Sequence, residues 1–64
     1  MLKDNLKKIR EQKGLSQLEL AAMLDVNQST IGRIENGSLL PSVTTLSVMA
    51  EKLECTTDYL LGRG

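Results

Sequence analysis

At 64 residues the chain lies near the lower limit at which one domain buries enough surface to fold alone, so residues 1–64 are read as a single domain. Aliphatic side chains are plentiful, Tyr59 is the only aromatic and there is one proline, a composition that points to a bundle of short helices. The net charge is zero, Cys55 is the only cysteine and histidine is absent, which excludes an internal disulfide and argues against a zinc site or a strongly basic surface.

A first helix is expected from about Asp4 to Gln12. Leu2, Leu6, Ile9 and Lys13 fall on one stripe, and Gly14 suits the position after the last turn. Ser16 with Glu19 three residues later makes a capping box, which sets the start of a second helix with Leu20, Ala21 and Leu24 inward. Asp25-Val26-Asn27 breaks that helix, and Asn27 is placed as the cap of a third, running to about Asn36 with Ile31 and Ile34 inward. Gly37 closes it, because glycine takes the left-handed conformation without steric cost. After the loop Ser38-Leu39-Leu40-Pro41, Ser42 is read as the cap of a fourth helix, Val43 to Leu53, that buries Leu46, Met49, Ala50 and Leu53. Thr56 caps a short fifth helix, Thr57 to Leu61, ended by Gly62. The expected fold is all-α, a compact five-helix bundle.

The informative unit is the helix-turn-helix from Gln17 to Asn36. Such a motif needs a small residue where its helices cross, an apolar residue in the turn, and aliphatics beneath the second helix. Ala21, Val26, and the pair Ile31 and Ile34 meet these needs in turn. The outward residues of the second helix are then Gln28, Ser29, Gly32, Arg33 and Asn36, short polar groups suited to base edges and phosphates. Positive charge gathers at the start of the chain, where Lys3, Lys7, Lys8, Arg10 and Lys13 face only Asp4 and Glu11. The lysines are read as a solvated face, and so is the carboxylate pair Glu51 and Glu54. With no histidine, no evident base near Cys55 and no cofactor motif, neither an enzyme nor a bound cofactor is expected.

Leu6-Lys7-Lys8-Ile9-Arg10, Gly14-Leu15-Ser16-Gln17, Glu19-Leu20-Ala21 and Val26-Asn27-Gln28-Ser29-Thr30-Ile31 form one recurring set. Arg33-Ile34-Glu35-Asn36-Gly37, Pro41-Ser42 and Asp58-Tyr59-Leu60-Leu61 complete it. From Leu6 to Leu61 the chain resembles the lambda-repressor-like, Cro-type (XRE) helix-turn-helix family. The resemblance implies a DNA-binding domain whose third helix enters the major groove. It gives Gln17 a phosphate contact, Gln28 and Ser29 base reading, and Arg33 and Asn36 further contacts to base or backbone. It also implies phosphate binding by the amides of Ser42 and Val43, and a partly buried salt bridge from Arg10 to Glu35.

Departures from the family pattern are instructive. Asp25 stands in the turn where the family usually has glycine, Gly32 removes a polar reader from the third helix, and the loop before Ser42 lacks basic residues. Leu18, Met23, Leu39, Leu40 and Val48 are apolar where the pattern is commonly polar, through either a greasy small domain or a protein-binding surface. The expected function is a dimeric, sequence-specific regulator, a repressor on a near-palindromic operator of double-stranded DNA. The homodimer is placed first at the fifth helix (Tyr59, Leu60, Leu61) and second at Leu39-Leu40, with Leu60 expected to pack in the core in either case. The rival reading is a protein-interaction module with a protein partner, such as an antitoxin that masks a toxin. No apolar run approaches a membrane span and the start does not read as a signal peptide, so a cytoplasmic setting is expected.

Overall fold

A computed structural model of the protein describes residues 2–63. Five helices follow in order: α1 Leu2–Gln12, α2 Gln17–Leu24, α3 Gln28–Glu35, α4 Val43–Lys52 and α5 Thr57–Leu61. α2 packs chiefly on α3, α1 lies against both α3 and α5, and α4 joins α2 to α5. One core results. Leu6, Leu20, Ile31, Ile34, Met49, Leu53 and Leu60 are essentially closed to solvent within it.

Local chemistry sets the helix ends. Ser16 Oγ accepts the Glu19 amide at 3.0 Å while the Ser16 amide donates to Glu19 Oε1 at 2.8 Å, a complete capping box. Ser42 and Thr56 cap α4 and α5 in the same way, their hydroxyls accepting the amides of Thr45 and Tyr59. Asn27 differs from expectation. It has the extended cap geometry, but its side chain makes no capping bond. Instead the Thr30 amide donates to the Asn27 carbonyl at 3.0 Å, closing the first turn of α3 through the backbone.

The buried line of α1 also differs from the apolar stripe. Leu2, Leu6 and Arg10, spaced four apart, are the buried residues, whereas Ile9 is half-buried and Lys13 exposed. A charged side chain replaces an apolar one because a partner waits for it on α3. α1 also begins at Leu2, earlier than the expected Asp4, and Asn5 Nδ2 ties it to α5 through the Tyr59 carbonyl at 2.9 Å.

Candidate nucleic-acid interface

The crossing of α2 and α3 begins with a small side chain. Ala21 is 1% exposed, letting the two helices approach closely, and Val26 is half-buried in the turn between them. Asp25 ends α2 in the left-handed region, at φ 56° and ψ 45°. Its amide donates to the carbonyls of Ala21 and Ala22, so the turn keeps its backbone bonds without a glycine.

Beneath this motif Glu35 is a hub. Arg10 Nε donates to its Oε2 at 2.7 Å and Arg10 Nη2 to its Oε1 at 3.0 Å, a two-bond fork between the side chains. Arg10 Nη1 also donates to the Leu15 carbonyl at 2.7 Å, and Gln17 Nε2 to Glu35 Oε1 at 3.1 Å. The two charged side chains are only 9% and 5% exposed. The hydrogen bonds to Glu35 push the Arg10 guanidinium pKa up, against the pull of burial. One carboxylate thereby joins α1, α2 and α3, and its partner Arg10 also holds the loop before α2.

The residues expected to meet DNA fall into two groups. Gln28, Ser29 and Arg33 are exposed on α3, and their side chains form no hydrogen bond or ion pair among the described residues. Gln17, Asn36 and Ser42 already have work within the fold. Gln17 is half-buried against Glu35, and Asn36 Oδ1 accepts the Ser38 amide at 2.9 Å. Ser42 Oγ accepts the Thr45 amide at 3.1 Å and lies 3.0 Å from Thr45 Oγ1. The spare amide hydrogens of Gln17 and Asn36 remain available to a ligand, as does the backbone at the start of α4. Gly32 is half-buried, not a vacant outward position: a Cβ there would lie 3.6 Å from Gln17 Oε1. The link from Gln17 to Glu35 spans separate helices and carries no sequence signature.

The helix-turn-helix family HTH_3 matches residues 6–60, nearly the whole chain. This chain belongs to that family. The HTH_3 domain is 36% identical over 61 residues to the SPbeta prophage-derived uncharacterized HTH-type transcriptional regulator YonR of Bacillus subtilis. That match covers 95% of this chain and 56% of YonR. The HTH-type transcriptional regulator AnsR of the same organism is 35% identical over 60 residues, covering 94% of this chain and 52% of AnsR. The chain thus spans about half the length of the Bacillus subtilis relatives it matches. A solved structure of an HTH_3 family transcriptional regulator from Vibrio cholerae superposes with a TM-score of 0.84 at 30% identity, over 95% of this chain and 34% of that one. The family assignment and the five-helix architecture therefore agree.

Proposed function

We propose that this domain binds double-stranded DNA sequence-specifically and acts as a transcriptional repressor. In this reading α3 lies in the major groove, and two copies share a near-palindromic operator in the cytoplasm. The observation that carries it is the exposed, unpartnered set Gln28, Ser29 and Arg33, standing on a helix whose buried side is locked by Ile31, Ile34 and Glu35. A free amide, a hydroxyl and a guanidinium on a rigid helix are what base-edge recognition requires, and a glutamine such as Gln28 can pair bidentately with adenine. Arg33 supplies the positive charge of α3, and the amides at Ser42 and Val43 are suited to a phosphate.

Selection of bound sites from random duplex DNA, followed by Gln28→Ala, tests the reading. The variant should lose about 1–3 kcal/mol on the selected site and relax the choice at one base pair. Equal weakening on selected and random DNA would remove Gln28 from base reading. A second reading draws on Leu40 and Val43, 82% and 81% exposed, and on Leu18, 62% exposed: these apolar groups suit a protein partner. Selection that returns no sequence, with a stable complex to a partner protein, would favour that alternative.

A further inference from the structure

The N-terminal lysines, one cluster in sequence, have separate surroundings in the fold. Lys13 Nζ is paired with Glu54 Oε1 at 3.3 Å. Lys7 and Lys8 line a shallow cleft on α1 together with Asp4 and Glu11, so their field is partly cancelled. Lys3 faces a different region. It lines a groove with Asn36, walled by Leu2, Ile34 and Leu39, beside the end of α3.

The stem of Lys3 passes close to Gly37. This residue has φ +86°, and a Cβ added to it would stand 3.3 Å from Lys3 Cδ. The aliphatic stem of Lys3 therefore crosses the recognition helix's exit where no side chain stands, and only Cε separates that carbon from the ammonium. Lys3 is exposed and has no ion-pair partner among the described residues. A long side chain whose stem packs while its charge stays in water is a common arrangement for meeting a phosphate at a surface.

We infer that Lys3 is a DNA-backbone contact, carrying the interface beyond Asn36 onto the start of α1. The inference rests on the DNA-binding reading above. It assigns α1 a direct part in binding, and it supplies a positive charge that the loop from Ser38 to Pro41 lacks. Contact with phosphate is indifferent to sequence, so Lys3 adds affinity rather than specificity.

Fluorescence anisotropy with a labelled random-sequence duplex pool, over about 50 to 200 mM salt, tests this. Lys3→Gln should weaken binding and reduce the slope of log K against log salt by about 0.9, the value for one lost phosphate contact. Lys3→Arg should retain the wild-type slope, and Lys7→Gln should change it far less than Lys3→Gln. A wild-type slope in Lys3→Gln, with or without a lower melting temperature, would overturn the contact and leave Lys3 a solvated charge near a helix end. An equal drop in Lys7→Gln would overturn it too, as a general charge effect. Failure of the wild-type chain to bind any duplex would overturn both this inference and the DNA-binding reading, which sets that result apart.

Discussion

A glycine inside an eight-residue helix needs a reason, because it costs about 1 kcal/mol relative to alanine. At Gly32 the neighbouring group is the Gln17 amide, and the 3.6 Å that would separate it from an added Cβ is ordinary contact. Nothing forbids a methyl group there. Gly32→Ala should therefore stabilise the domain by about 1 kcal/mol, and raise its melting temperature by about 4–8 °C in a chain this short. A lower melting temperature would show that Gln17 cannot yield without disturbing Glu35. Other residues store strain. Asp25 and Glu54 both adopt φ 56° without being glycine, a conformation that Asp tolerates better than Glu. Cys55, half-buried, has its thiol pKa pushed up by burial, with the charge of Lys13 acting in the opposite direction.

Between elements, two devices hold the helices, and they differ in how far the sequence reveals them. The capping box is local: Ser16 and Glu19 sit three apart, and their types alone announce the bonds. The Ser16 backbone amide, and next its hydroxyl, hold the Glu19 carboxyl below its ordinary range. A depressed folded-state pKa contributes stability above the unfolded value, which is lost as the pH falls through the folded one. Acidification from about pH 7 to about pH 3 should thus lower the wild-type melting temperature more than that of Glu19→Gln, whose amide oxygen can still accept the Ser16 amide. Equal losses would mean that the carboxylate charge adds nothing to the cap. The Arg10–Glu35 fork is non-local, joining residues 25 apart, and is legible in the sequence only through the family resemblance. Periodicity marks Ile9 on that face instead, because it scores hydrophobicity and cannot anticipate a charge neutralised by a distant partner. The caps and core of α4 are readable for the opposite reason: Ser42, Leu46, Met49, Ala50 and Leu53 act at helical spacing within one segment. Arg10→Met or Glu35→Leu alone should cost up to about 3–5 kcal/mol by leaving a buried charge unpaired. That rivals the whole stability of a domain of this length, about 3–10 kcal/mol. The double mutant should lose less than the sum, and additive melts would deny the coupling.

At the scale of the whole molecule, the question is how so small a domain reaches a useful affinity. Two copies on adjacent half-sites gain effective concentration, and recognition helices on one face of DNA then stand about 34 Å apart. The domain's longest dimension is 26 Å, so neighbours at that spacing meet over little more than their edges. The fifth helix offers those edges little: Leu60 is 0% exposed, in the core as expected, and Tyr59 and Leu61 pack against the core. The most exposed apolar groups lie at Leu40 and Val43, either side of Pro41 and Ser42. Two such side chains per copy fall far below the roughly 800 Å² per partner of a standard stable interface. A free dimer is therefore not expected, whereas the same contact can add cooperativity once DNA holds both copies. Sedimentation should give a monomer in solution and two proteins per operator, with footprints symmetric about a dyad. Leu40→Ser should reduce cooperativity while leaving binding to a single half-site unchanged. Undiminished cooperativity in that variant would move the interface elsewhere, and one protein per site on a sequence without symmetry would dispose of the dimer altogether.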